Sequence, residues 1–453
     1  MKTVGKYEVC GLLGRGGMGV VYKARLPVVN KMVALKLLAP HPHLLHSLGR
    51  EEVERRFIAE AVAMAALRHP HLLKVLDFDY DEGSPFFTME YYYQNLGMLI
   101  GESARVEEPT RMLSLDKAIR YTRQILLGLG RMHRAGMVHR DVKPYNLFIT
   151  DEDQVKIGDF GLSKLRGEDF RNPPNVMVGS PYYAAPEQER DPETVDGRAD
   201  LYGVGVVFYR MLTGRLPEAE MLPPSECHPD VDPSWDDFVW KAIAPLRENR
   251  FNRAEEMLGR LDVLSKAWEE KKRDICRSFP ERSTQVIEPK QEMIASLRAA
   301  PAKVGPREAP EIFRCDSLYR PLHSLANDFE ILENKGIVLD RATNLFWQKG
   351  GSPDPLEWEN AHDYVRNLNE EHFGGCSTWR LPTVNELLSL IKPVAHGEDD
   401  CMEPVFDRSK KWLWSCDRRS FTAAWYVDGE LGFAGWGDFT CQYYVRAVCL
   451  RQG

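Results

Sequence analysis

The chain lacks any long apolar run. Its most apolar stretch, Leu201 to Leu212, is too short to span a bilayer and contains Arg210. Residues 1–30 hold no apolar segment flanked like a signal peptide, so no membrane span and a single compartment are expected. Positive charge is not in excess: the formal net charge is −8, which argues against nucleic acid as a partner. The one basic triplet, Lys271-Lys272-Arg273, reads as the solvated end of a helix. No cysteine pair has CxxC spacing, and no Cys/His spacing resembles a zinc site. His41, His43 and His46 sit in a Pro-containing stretch without a fourth ligand at fixed spacing, so an exposed loop is expected there rather than a metal centre. Internal repeats and low-complexity tracts are absent too.

What is present fits a soluble globular chain. It has 453 residues, 43% of them hydrophobic and 28% charged, enough for two or three domains. Three zones follow one another. From about Tyr7 to Trp268, strand-like and helix-like patterns alternate. Tyr7-Glu8-Val9-Cys10, Val20 to Ala24, Val33 to Leu38 and Pro85 to Thr88 read as strands. Glu51 to Leu67 has helical spacing, with Phe57, Ala61, Met64 and Leu67 on one face, and helices dominate after about residue 115. From about Lys271 the chain turns polar and carries Pro280, Pro289, Pro301, Pro306 and Pro310, which reads as a linker with one helix at Lys290 to Ala299. A Trp-rich zone occupies about Ile312 to Gly453.

The chemistry concentrates in His139-Arg140-Asp141-Val142-Lys143-Pro144-Tyr145-Asn146, followed by Asp159-Phe160-Gly161. One Asp to take a proton, a Lys, and an Asn and a second Asp as oxygen ligands are what phosphoryl transfer to a hydroxyl requires. Asn146 lies five residues after Asp141, and Asp159 thirteen after Asn146. This stretch resembles the catalytic core of the eukaryotic-like (Hanks-type) Ser/Thr protein kinases of bacteria. The resemblance implies an α+β, bilobal kinase fold over residues 1–270, with a β-rich N-lobe and a helical C-lobe.

It also implies roles for particular residues. Asp141 would be the catalytic base, and Lys143 would steady the transferring phosphoryl and mark Ser/Thr specificity. Asn146 and Asp159 would bind Mg²⁺, with Mn²⁺ as an alternative, around ATP. Leu13-Gly14-Arg15-Gly16-Gly17-Met18-Gly19-Val20-Val21 fits the glycine-rich loop over the phosphates; a strand follows it, so it reads as a hairpin lid rather than a strand–helix turn. Val33-Ala34-Leu35-Lys36 matches the strand whose Lys contacts the α- and β-phosphates, with Glu60 as its counter-charge and Ala34 beside the nucleotide. Met89-Glu90-Tyr91 would form the adenine-binding hinge, with Met89 guarding the back of the pocket. His139, Phe160, Met64 and Val75 would form an apolar column joining the lobes. Gly179-Ser180-Pro181-Tyr182-Tyr183-Ala184-Ala185-Pro186-Glu187 resembles the end of an activation segment, with Ser180 placed to bond toward Asp141 and Lys143. Glu187 would pair with Arg250, and Asp200 would brace the catalytic loop. One departure stands out: no Ser, Thr or Tyr lies between Lys164 and Gly179, although Arg140 is present. Either Glu168 or Asp169 is expected to neutralise Arg140 in place of phosphate, or a partner is expected to set the loop. An ATP-using enzyme is expected in the cytoplasm, where the nine cysteines, six of them from Cys315 onward, would be buried thiols.

In the last zone, Gly336 to Gln348 reads as strand, turn and strand. Trp358 to Leu368 has helical spacing, Thr383 and Glu386 make a capping box, and Trp412 to Cys416, Ala424 to Val427 and Tyr443 to Val448 read as strands. This order resembles the Lcl C-terminal domain, a bacterial module with the C-type-lectin-like α+β fold. The resemblance implies a second, smaller domain at 312–453 with a binding role, joined by a flexible linker at 271–311. Glu403-Pro404 is similar to a lectin calcium motif, but Val405 stands where Asn or Asp is needed, so calcium-dependent sugar binding is not expected. The expected partners are a protein substrate, a ligand of the second domain, and a transient homodimer if the chain phosphorylates itself in trans. Two other readings stay open: a pseudokinase scaffold, and a binding protein in which the first domain is a regulatory appendage.

Overall fold

The computed structural model describes residues 2–158, 164–165, 182–217, 221–278, 297–332, 336–392 and 401–451, and of 164–165 and 275–278 the backbone alone. The chain divides into two compact units, Met1–Asp274 and Ile275–Gly453.

The first unit opens with β1 (Thr3–Val4), β2 (Tyr7–Arg15), β3 (Gly19–Leu26) and β4 (Lys31–Leu38). Helices α1 (Pro42–Leu48) and α2 (Arg50–Ala66) precede β5 (Val75–Asp81) and β6 (Ser84–Glu90). The sheet runs β1-β2-β3-β4-β6-β5 and is antiparallel throughout. Val4, Tyr7, Ala24, Val33, Leu35 and Phe86 pack as a core cluster of this sheet. Helix α2 buries Val53, Phe57, Glu60, Ala61 and Met64, the expected face with one carboxylate in it. A charged residue is rarely buried on an apolar stripe without a partner.

A helical lobe follows, with α3 (Leu96–Ile100), α4 (Leu115–Arg134), α5 (Pro186–Arg190), α6 (Arg198–Thr213), α7 (Pro224–Cys227), α8 (Pro233–Ala242) and α9 (Ala254–Ser278). Short strands β7 (Met137–Val138), β8 (Leu147–Ile149), β9 (Val155–Ile157) and β10 (Lys164–Leu165) pair β8 with β9 and β7 with β10. Ser114 caps α4 by accepting from the Lys117 N–H at 3.2 Å, and Arg131, His133 and Arg134 occupy its last turn, where cations complement the helix dipole. Helix α6 is buried from Ala199 to Thr213 except at Tyr202, which makes it the central element of this lobe. Gly214 ends it at φ 69°, where a Cβ would lie 2.6 Å from the Thr110 carbonyl oxygen. Among the described residues no helix is long and apolar enough to cross a membrane.

The second unit holds α10 (Ala309–Phe313), β11 (Phe329–Leu332), β12 (Ile337–Asp340), β13 (Leu345–Gln348), α11 (Trp358–Glu370), α12 (Val384–Leu388), β14 (Trp412–Arg418), β15 (Ala423–Asp428), β16 (Phe433–Asp438) and β17 (Val448–Leu450). They form two antiparallel sheets, β11-β12-β13-β17 and β14-β15-β16. Trp347, Leu387, Leu413, Trp425 and Val448 share one core.

Several sequence expectations differ from what is seen. The stretch expected as an exposed loop around His41, His43 and His46 is exposed but helical: α1 runs from Pro42 to Leu48 with His41 as its N-cap. Helix α9 continues through 271–278, where Lys272 donates to Asp116 at 2.7 Å, and Val304 and Ala309 are fully buried in the second core. Both ends of the expected linker are therefore ordered, because each finds packing or ionic partners. The expected helix at 290–299 lies mostly outside the described residues, and 297–299 are not helical. Tyr443 to Val448 is not one strand: Tyr443 bridges Leu356 and Tyr444 bridges Leu413, so the chain changes neighbours before β17 begins. Among the cysteines, Cys315, Cys401, Cys416, Cys441 and Cys449 are buried free thiols as expected, whereas Cys10 is exposed.

Candidate active site

Two strands and one helix set the first part of the site. Residues of β4 pair across the sheet with β6, so Ala34 lies opposite Met89 and Lys36 opposite Phe87. Ala34 and Met89 are both largely buried, at 6% and 9% exposure. The Lys36 ammonium meets the Glu60 carboxylate of α2 at 2.7 Å, in a place almost shut off from water. A buried pair of this kind fixes the ammonium direction, because separating the charges would leave one uncompensated.

The glycine-rich turn between β2 and β3 is closed by the Gly16 N–H donating to the Gly19 carbonyl at 2.9 Å. A Cβ on Gly19 would lie 2.3 Å from the Leu37 carbonyl oxygen, so only glycine lets β3 approach β4 here. Around Gly14 and Gly17 a Cβ would meet nothing within 4 Å, so their absent side chains leave open space. Leu13 is exposed and Val20 buried, which puts the turn between solvent and core.

The loop carrying Asp141 supplies the second part. Lys143 donates to Asp141 Oδ2 at 2.6 Å, and Asn146 Nδ2 donates to the Asp141 carbonyl at 2.8 Å and to Oδ2 at 3.0 Å. Both Asn146 bonds leave through its nitrogen, so its Oδ1 is the atom suited to a hard cation. The Asp141 N–H bonds His139 Nδ1 at 3.2 Å, and His139 Nε2 bonds the Gly158 carbonyl at 3.0 Å. Gly158 N–H returns to the Asn146 carbonyl at 3.0 Å. The residue before Asp159 is thus tied to the loop of His139 and Asn146 on both its polar groups. Asp159 itself, with Phe160, Glu168, Asp169 and Ser180, lies outside the described residues. Of the expected column, His139 and Met64 are buried and Val75 is half-buried. Among the described residues no three His, Cys, Asp or Glu side chains converge as a metal cluster.

Beneath the loop, Asp200 of α6 accepts from the backbone N–H of His139 at 2.9 Å and of Arg140 at 2.7 Å. His133 Nε2 meets the same carboxylate at 2.7 Å. Burial opposes the charge of Asp200, yet the His133 hydrogen bond, the His133 and His139 rings and the Arg140 N–H together hold its carboxyl below the usual carboxylate range. This brace lets Arg140 keep a φ of 68°, a conformation a non-glycine residue adopts at a cost. The Arg140 side chain is buried and donates to the Pro192 carbonyl at 3.2 Å; burial pulls its pKa down. Glu187 and Arg250 form a two-pronged pair at 2.7 and 2.8 Å.

Several contacts around this loop carried no signal in the sequence. Gln188 Nε2 holds the Arg140 carbonyl at 2.8 Å, and His133 faces Asp200 from α4. Tyr145 and Tyr183 both bond Glu102, a residue inside no motif. These residues come from α4, α5, α6, the turn after α3 and the loop carrying Asp141, which are far apart in sequence and meet only in the folded chain.

Comparison with known proteins follows this division. The protein kinase domain family matches residues 7–235, and the Lcl C-terminal domain family matches residues 336–449. The chain is 33% identical over 276 residues to a probable serine/threonine-protein kinase of Clostridium perfringens, covering 58% of this chain and 38% of that protein. It is 32% identical over 315 residues to the serine/threonine-protein kinase pkn3 of Myxococcus xanthus, covering 64% and 55%. It is 33% identical over 273 residues to the serine/threonine-protein kinase PknB of Mycolicibacterium smegmatis, covering 56% and 42%. The chain therefore spans between 38% and 55% of the length of these relatives. A crystal structure of the Mycobacterium tuberculosis PknI kinase domain aligns at 26% identity over 58% of this chain and 97% of that one, with a TM-score of 0.44.

Proposed function

The chain belongs to the protein kinase domain family, whose members use ATP with a divalent metal, and on that premise we propose that it phosphorylates Ser or Thr of a protein substrate. The observation that carries this reading is the convergence of Asp141, Lys143 and Asn146 on one braced loop, with hydrogen bonds of 2.6 to 3.0 Å among them. Asp141 Oδ2 takes the proton of the attacking hydroxyl. Lys143, already at that oxygen, lies where it can follow the phosphoryl as charge builds on it. Lys36, held by Glu60, grips the α- and β-phosphates, and the glycine turn covers them. Mg²⁺ held by Asn146 Oδ1 and Asp159 would neutralise the triphosphate charge. Ala34 and Met89 wall the adenine, and the backbone of Glu90 and Tyr91 offers its hydrogen bonds.

The second unit is read as a recognition domain of C-type-lectin-like fold. Its match to the Lcl C-terminal domain and its two antiparallel sheets support this. Tethering such a module to the catalytic unit raises the local concentration of whatever it holds. ATP dependence favours a cytoplasmic setting.

The test is transfer of label from γ-labelled ATP to a protein acceptor, followed by phosphoamino-acid analysis. Phosphoserine or phosphothreonine, dependent on Mg²⁺, is the expected product. Absence of any transfer, or transfer to tyrosine alone, would overturn the assignment.

A further inference from the structure

The second unit holds a cavity of about 560 Å³ that takes no part in phosphotransfer. Sites for small organic molecules span roughly 300–1,000 Å³. Two stretches of chain line it: the end of β13 with the turn that follows, Gln348 to Gly351, and the run Pro404 to Asp407. Phe373 lines it too, and with Pro404, Val405 and Phe406 gives it an apolar face. Phe406 is buried in the core of this unit, and Phe373 packs edge-on against Trp379 with ring centres 5.7 Å apart. Both rings are therefore held from behind. A Cβ on Gly350 would meet nothing within 4 Å, so the missing side chain leaves room at the lining.

One residue ties the two stretches together. Arg446 is fully buried. Its Nη1 donates to the Gln348 carbonyl at 2.9 Å and also to the Lys349 carbonyl, and its Nη2 donates to the Asp407 carbonyl at 3.0 Å. Its guanidinium lies 4.7 Å from the centre of the Phe406 ring. Carbonyls and a ring face are dipoles and a quadrupole, not counter-charges. Among the described residues no carboxylate forms an ion pair with Arg446, and its Nε has no hydrogen-bond partner. Burial pulls its pKa down to about 10, so the charge persists at neutral pH. The carboxylates of the second stretch are engaged elsewhere: Asp407 accepts from the Ser409 N–H at 3.0 Å and hydroxyl at 2.7 Å, and Glu403 pairs with Lys392 at 2.9 Å. A buried cation without a counter-charge is costly, and an anion brought close to it lowers that cost, since the interior screens little.

We propose that this cavity is a binding site for a small organic anion, whose apolar body lies against Phe373, Val405 and Phe406 and whose charged group sits beside the Gln348, Lys349 and Asp407 backbone that Arg446 holds. Gly350 supplies the room. The charge sets the class of ligand: an uncharged apolar molecule fills the same space but leaves Arg446 unmatched. The site is carried by the cavity and the buried charge, and stands whether or not the second unit also recruits a protein substrate.

The test titrates the full chain with anilinonaphthalene sulfonate, a fluorescent apolar anion, and with N-phenylnaphthylamine, which has the same rings and no charge. Mg·ADP is present throughout to occupy the nucleotide site of the first unit. A saturable site is expected that prefers the anion about tenfold over the neutral probe. Gly350→Leu fills the cavity and should weaken both probes at least about tenfold. Pro404→Glu adds a carboxylate at an exposed lining position and should weaken the anion about tenfold while leaving the neutral probe unchanged. Thermal melting shows which variants are folded, and should Gly350→Leu not fold, Pro404→Glu decides. Undiminished anion binding in folded Gly350→Leu overturns the site. Equal affinity of the wild type for the two probes, or undiminished anion binding in folded Pro404→Glu, overturns the class of ligand. A folded wild type with no saturable anion site overturns the proposal outright. Each of these contrary results leaves the kinase reading intact.

Discussion

Asp200 carries a charge in a place where burial alone would remove it. Its folded pKa lies below the unfolded value of about 3.9. A depressed carboxylate stabilises the fold above that unfolded value and loses the contribution as pH falls through the folded pKa. Wild type should therefore exceed Asp200→Asn in denaturant midpoint at pH 7, with the gap shrinking below about pH 4. A gap that persists unchanged to pH 2 would contradict this. Glu187 makes a second residue-scale test. Glu187→Ala leaves the fully buried Arg250 without its partner and should cost about 3–5 kcal/mol in chemical denaturation. These residues were legible in the sequence because they sit in contiguous motifs. Glu102 and Arg210 were not, since the 107 positions between them hide a contact made only in the folded chain, where the turn after α3 meets α6.

Elements were most legible where a local rule agreed with the packing. Thr383 and Glu386 form the expected capping box on α12, with Glu386 N–H donating to Thr383 Oγ1 at 3.2 Å and Thr383 N–H to Glu386 Oε2 at 2.8 Å. Thr383→Ala should cost about 1 kcal/mol, read from the denaturant midpoint. Strand β16 gave little signal because Phe433–Asp438 is half glycine and alanine. Gly435 is small because Tyr426 fills the space; a Cβ would lie 2.6 Å from its ring. The run from Tyr443 misled because an apolar, aromatic stretch need not keep one partner. The stretch from Lys164 to Gly179, which contains no Ser, Thr or Tyr, carries its own prediction. Phosphatase treatment should leave activity largely intact, and a complete loss would show that a phosphate orders the loop.

At the scale of the whole molecule, two units each have a buried core of their own. Calorimetry should then show Glu187→Ala lowering one transition and Thr383→Ala another. A single transition moved by both substitutions would contradict two cooperative units. The division was visible as a change of composition, but its edges were not. Chain that looks polar in sequence becomes ordered when one residue finds a partner, as Lys272 does at Asp116 and Val304 does in the second core.

The most direct measurement compares wild type with Asp141→Asn in transfer of γ-phosphate to protein, with nucleotide affinity measured alongside. The substitution keeps the size of the side chain and removes the base. Transfer should fall at least about 100-fold while nucleotide still binds. Equal labelling by the two proteins would contradict the assignment of Asp141, and with it the account of the site.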